Sequence, residues 1–265
     1  MRRFTRLLQA DLKNALGLRF LLAVCLIPAI ILLDAIVDLP YALNDPSSIS
    51  VWYFYFNSIA FGGVYGRYLL GMLCALPYAA SFCIERQTEM APQVMARGGE
   101  RNYFVSKMMA AAFSGGLTNL MGQALFVALM SARLSLFTPY DFPGMDDFYY
   151  MPIAAKLPLA YFAIALYYAF FNGAFLAGLS IWISGFIQSR YAVYTVPAVA
   201  IFAQIQIARL FQIPTDWRLD MWLSMRGIAR DETTTMVVTP LAVLLLLIAS
   251  AWSFVKRGKK VMNYA

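Results

Sequence analysis

Six apolar runs, at residues 20–36, 62–84, 104–132, 158–187, 191–212 and 236–255, set the terms for everything else in this sequence. A helix needs about 20 mostly apolar residues to cross a hydrocarbon core of about 30 Å. Runs of this length predict an all-α integral membrane protein with six transmembrane helices, the third and fourth of them long. Composition agrees: only 13% of the residues are charged, against roughly 25% in an ordinary soluble domain. The runs leave no stretch in which a separate soluble catalytic domain would fit, so residues 1–265 read as one transmembrane domain.

Charge orients the spans. Both ends are basic, with Arg2, Arg3, Arg6, Lys13 and Arg19 before the first run and Lys256, Arg257, Lys259 and Lys260 after the last. An even number of crossings puts both termini on one side. Placing that side in the cytoplasm assigns it 14 of the 21 basic residues, while 10 of the 14 acids fall on the other. The excess of Lys and Arg on cytoplasmic segments is the usual topological signal, so the reading is a multi-pass protein of the cell membrane with both termini cytoplasmic. The net charge of +7 is then a matter of topology, and no nucleic-acid partner is implied. The opening "MRRFTRLLQADLKNALG" lacks the apolar core and cleavage site of a signal peptide, which predicts that the first span serves as its own insertion signal.

Phe4, Leu7, Leu8, Leu12, Ala15 and Leu16 recur at helical spacing, opposite Arg3, Arg6, Gln9, Lys13 and Asn14. This pattern predicts an amphipathic helix lying along the cytoplasmic interface. Trp217, Met221, Trp222, Met225 and Ile228 predict a second interfacial helix before the last span, on the outer side. Residues 37–61 and 133–157 are aromatic and acidic connections. No repeat relates the two halves of the chain.

Several chemistries are excluded. The sequence has no histidine, which removes His-dependent triads, HExxH zinc sites and histidine proton relays. It has no GxxxxGK[ST] and no GxGxxG, so it should not bind a nucleotide by those means. Cys25, Cys74 and Cys83 lie in apolar runs and read as packing residues. No catalytic residue, no metal ligand and no cofactor of the chain's own is expected.

The densely charged stretch "ERQTEMAPQVMARGGERNYFVSK", residues 85–107, interrupts this pattern. Pro92 suits the first turn of a helix, Gly98 its C-terminal cap, and Arg97 the negative end of the dipole. A helix of about two turns follows, with Val94 and Met95 facing outward among Glu85, Arg86, Glu89, Glu100 and Arg101. From the residues alone it is either a docking element or a solvated hairpin whose charges enforce topology.

The run "SFCIERQTEMAPQVMARGGERNYFVSKMMAAAFSGGLTNLMGQ" resembles the part of ABC type 2 exporter permeases where a span ends at a Glu, a short segment follows and a Lys opens the next span; Glu85 and Lys107 match those positions. The interfacial N-terminal helix, the six spans and the basic C-terminus also resemble that family, although "RGGER" stands where many relatives carry a proline and a serine. The resemblance implies that 85–103 is a coupling helix seated in a groove of a cytoplasmic ABC ATPase subunit, with Glu85, Arg86, Glu89, Pro92, Val94, Met95, Arg97 and Glu100 as the coupling residues. It also implies a second permease, identical or related, and ATP and Mg bound by the ATPase rather than by this chain. The family consists mostly of exporters. An apolar, aromatic and Met-rich interior suits a lipophilic or amphipathic cargo, such as a membrane-active or antimicrobial peptide.

Within the spans, Asn119 and Gln123 lie four apart on one face, and Gln204 adds a third polar group. They can line a substrate pathway or bond helices to one another, the commoner use. Small residues four apart (Ala111 with Gly115, Ala112 with Gly116, Gly173 with Ala177, Ala174 with Gly178) predict close helix packing. Asp34 and Arg67 lie at similar depth and can form an intramembrane ion pair. Pro28, Pro77 and Pro197 are expected to kink their spans. The rival readings are a secondary transporter, which needs buried acids that only Asp34 offers, and a non-transporting membrane anchor.

Overall fold

A computed structural model of the chain describes residues 2–46, 49–59, 63, 69–138, 153, 156–214, 218 and 232–263. All regular structure among them is helical. Four helices are long and apolar enough to cross a membrane, and a bent pair at the N-terminus makes a fifth if counted as one span.

The bent pair is α1 (Arg2–Ala15) and α2 (Leu18–Asp34). Gly17, in an extended conformation, separates them, and their axes differ by 49°. On α2, Phe20, Ala23, Val24, Ile27 and Ile31 recur every three or four residues and are buried, while Leu18, Leu21, Leu22, Leu26 and Leu33 are exposed. Large apolar residues on an outer face are what a helix bathed in lipid presents. The same holds for the last two long helices, α10 (Arg190–Leu210) and α11 (Glu232–Asn263), with Val199 and Leu210 on one and Leu245, Ile248 and Trp252 on the other.

The second apolar run is not one continuous helix. It holds α5 (Leu70–Ala75) and α6 (Ser81–Gln87), joined by a turn over 76–80. Pro77 supplies no N–H to the ladder, and the Ser81 N–H bonds back only three residues, to Tyr78. Pro28 and Pro197, by contrast, sit inside unbroken helices, as does Pro240 in α11, which the sequence reading passed over.

The connection between the first two runs is also more ordered than its composition suggested. It carries α3 (Leu39–Asn44) and α4 (Val51–Ile59), and α4 buries Trp52, Phe54, Tyr55 and Phe56. Trp52 stacks on Phe56 at 4.7 Å and meets Phe137 and Tyr161 edge-on. Its first two N–H groups, from Val51 and Trp52, bond the carbonyls of Ser135 and Leu136 at 3.0 and 3.1 Å. The two connections thereby cap the same end of the bundle. The expected interfacial helix over 217–228 lies outside the described residues.

The centre is a close pair, α8 (Glu100–Ser131) and α9 (Pro158–Ser184). A Cβ on Gly115 would lie 2.3 Å from the Ala177 Cβ, and one on Gly173 would lie 2.4 Å from the Gly115 carbonyl oxygen. Gly115, Gly116 and Gly173 of the expected stripes are thus where two backbones touch, whereas Gly178 faces the Leu247 side chain of α11. α2 packs on α8 through a similar notch, Gly122 facing Ile27. Between α6 and α8 runs α7 (Met90–Gly98), at the same end of the bundle as α1 and the turn joining α9 to α10.

Candidate functional site

α8 starts immediately after Gly99, whose φ of 84° only glycine adopts readily. Its first two turns carry Tyr103, Phe104, Ser106 and Lys107, and all four are buried. Lys107, 2% exposed, is the charge that organises the site. An ammonium so deeply placed persists only if it is paired and its donors are used.

Three segments supply the partners. α1 brings Asp11, which lies on the same side of the helix as Leu7, Leu8 and Ala15 and is itself buried. α6 brings Glu85, and the 76–80 turn brings Tyr78. The Lys107 Nζ donates to Asp11 Oδ1 at 2.9 Å, to the Tyr78 hydroxyl at 2.7 Å and to Glu85 Oε1. All three ammonium donors are therefore engaged. Tyr78 donates onward to Asp11 Oδ1 at 2.5 Å, Ser106 to Asp11 Oδ2 at 2.5 Å, and Tyr103 to Glu85 Oε2 at 2.6 Å. Two carboxylates face one ammonium, and the three hydroxyls take up the remaining negative charge. The rings of Tyr78 and Tyr103 lie 5.0 and 5.4 Å from the ammonium, within cation–π range.

Aromatic packing seals the cluster. Phe82, Phe104 and Phe254 meet edge-on with centroids 5.2 to 5.6 Å apart, which brings α11 against α6 and α8. α6 is also hooked to the turn after α9: the Cys83 Sγ donates to the Ile187 carbonyl at 3.3 Å and the Gln87 side chain to the Gln188 carbonyl at 3.0 Å.

α7 lies over this cluster. It enters through Glu89 in the left-handed region, φ 55°, and leaves through Gly99. Pro92 is in the first turn and Arg97 in the last, as expected, but the capping glycine is Gly99 rather than Gly98. The expectation that Val94 and Met95 face outward is corrected: Met95 is 8% exposed and packs with Ala91 into the core, and Val94 is half-buried beside it. The reason is α1, whose apolar side covers α7 as well as the membrane bundle; a Cβ on Gly98 would lie 2.3 Å from the Leu7 Cδ1. The exposed face of α7 consists instead of Met90, Pro92, Gln93, Ala96 and Arg97, with Glu89 before it and Glu100 after it; Arg86 is half-buried.

The polar span residues are joined to each other. Tyr55 donates to Gln123 Oε1 at 2.5 Å, Gln123 Nε2 to Asn119 Oδ1 at 2.8 Å, and Asn119 Nδ2 to the Ala169 carbonyl at 2.8 Å. This chain of bonds ties α4, α8 and α9, the interhelical use of such groups. Gln204 is half-buried on α10. Asp34 accepts from Ser58 Oγ at 2.7 Å, and Gly63 lies so close that a Cβ there would be 2.4 Å from its Oδ2. Arg67, its expected partner, lies outside the described residues.

The sequence reading placed Glu85 and Lys107 at the two ends of one segment but missed Asp11, Tyr78, Tyr103 and Ser106. A signal for Asp11 existed: it is an acid on the apolar side of an amphipathic helix. No group of residues able to hold a metal ion occurs among the described residues. What the cluster can do is hold four segments in one arrangement. The chain matches no protein-family model, and no curated protein and no solved structure is significantly similar to it.

Proposed function

We propose that the chain is the membrane-spanning permease subunit of an ABC exporter, paired with a second permease and driven by cytoplasmic ATPase subunits. In this reading the α1–α2 pair is an interfacial elbow followed by span one, α5 and α6 belong to an interrupted span two, and α8 to α11 supply spans three to six. α7 is the coupling helix. The observation that carries the proposal is that a short, solvent-facing helix is backed by a buried charge cluster rooted in α1, α6 and α8. A push on α7 is then passed to those three segments rather than absorbed by a loose loop. The exposed Glu89, Met90, Gln93 and Arg97 would meet the ATPase, while Val94 and Met95 fasten α7 to its own chain. The cargo is lipophilic or amphipathic.

The test is ATP hydrolysis that co-elutes with the tagged chain purified from its own membranes. Wild type should carry it, and Met90→Asp with Arg97→Glu, both on the exposed face, should reduce it about tenfold or more while the chain itself purifies normally. Absence of co-eluting hydrolysis from wild type, or full retention by the variant, overturns the reading.

A further inference from the structure

On the flank away from α1, the helices α8, α9 and α11 enclose a groove of about 840 Å³. Its floor is apolar, with Met108 and Ala112 from α8, Phe170 and Ala174 from α9, and Leu247 from α11. Met109, Phe113, Ile248 and Trp252 are 44 to 65% exposed at its edges, so the groove opens sideways onto what the apolar exteriors of these helices mark as lipid. Among the described residues its charged lining residues are Arg101 and Lys256, and both sit at the same end. The Lys256 ammonium lies 3.5 Å over the Trp252 ring, which places an aromatic and a cation together as at a membrane interface.

We propose that this groove binds one anionic phospholipid of the adjoining leaflet, its phosphate held by Arg101 and Lys256 and an acyl chain laid along α8 and α11. Length supports the assignment. From Arg101 to Phe113, and from Lys256 to Leu244, the helices rise about 18 Å, close to one leaflet's share, about 15 Å, of the hydrocarbon core. Charge supports it too, because basic pockets between membrane helices recognise acidic headgroups. A second copy of the chain fits less well. A two-fold axis along the membrane normal would bring the same two cations to the same depth, with no acid among the described lining residues to meet them. The inference needs only that the chain spans a membrane, and it stands apart from the question of an ATPase partner.

The full chain, reconstituted in vesicles, is titrated with phosphatidylglycerol or phosphatidylcholine carrying brominated chains, and quenching of Trp252 is taken as the difference between wild type and Trp252→Phe. Each cation near a membrane surface contributes about fivefold, so wild type should favour the anionic lipid roughly 25-fold. Arg101→Gln and Lys256→Gln should each remove about fivefold of that preference, and both together all of it. Both residues are exposed, so these variants should fold. Ala112→Phe, which fills the floor, should weaken quenching by either lipid. Equal quenching by the two lipids in wild type overturns the proposal. So does an unchanged preference in the double variant, or a disulfide between copies formed by Ile248→Cys with loss of quenching, which would show a second chain in the groove.

Discussion

Lys107 reaches Asp11 across 96 residues of chain at 2.9 Å, and neither side chain is more than 10% exposed. Their separation in sequence and depth in the fold make this pair a long-range constraint on how α1 sits against the bundle.

Removing the charge should therefore cost more than removing the contact. Lys107→Met leaves Asp11 and Glu85 facing each other without a cation and should destabilise the chain by about 3–5 kcal/mol. Thermal unfolding in detergent measures the loss. Adding Asp11→Asn should restore part of it, and a double-mutant cycle with no coupling between the two would count against the geometry described.

The α8–α9 crossing predicts a sharp contrast between glycines. Gly115→Val must force the backbones apart, since even a Cβ would lie 2.8 Å from the Gly173 carbonyl, and overpacking of this kind costs about 1–3 kcal/mol or more. Gly17→Ala, whose Cβ would meet nothing nearer than 3.4 Å, should be nearly silent in the same unfolding assay.

The two faces of α7 should behave oppositely. Met95→Asp places an unpaired charge in the packed core beneath α7 and should yield aggregated protein on size-exclusion chromatography, whereas Gln93→Asp on the exposed face should elute as wild type does. This reverses what the sequence alone suggested. Pro92, Gly98 and Arg97 located α7 from its ends, but which side faced the solvent depended on the helices packed against it. The amphipathic pattern of α1 predicts a helix along the interface, and does not show that Leu7 on its apolar side packs on Gly98 of α7.

Gln123→Leu separates two uses of the polar residues in α8. If the bond from Tyr55 to Gln123 serves packing, its loss should lower stability by about 0.6 kcal/mol, the scale of one interhelical hydrogen bond, since the Gln123–Asn119 bond lies within α8. Under the proposed function, transport should then fall only as far as the amount of folded protein falls.

The four longest helices were legible from hydropathy because each is a single run of sufficient length. α4 was not, because its aromatic residues sit in a stretch too short and too mixed to show as a span. Its burial depends on partners at Leu136, Phe137 and Tyr161, which lie roughly 80 to 110 residues further along the chain. The charge cluster was half legible for a similar reason. Glu85 and Lys107 are close enough in sequence to be read together, whereas Asp11 and Tyr78 reach Lys107 only through the fold.

The order of the cluster along the chain bears on how it is made. Synthesis runs from the N-terminus, so Asp11, Tyr78 and Glu85 have all left the ribosome before Lys107 does. The cation that would be costliest to bury alone thus emerges after the groups that will hold it. Had the acids followed the lysine, α8 would have had to insert with its charge uncompensated. In this chain the sequence of birth and the needs of burial agree.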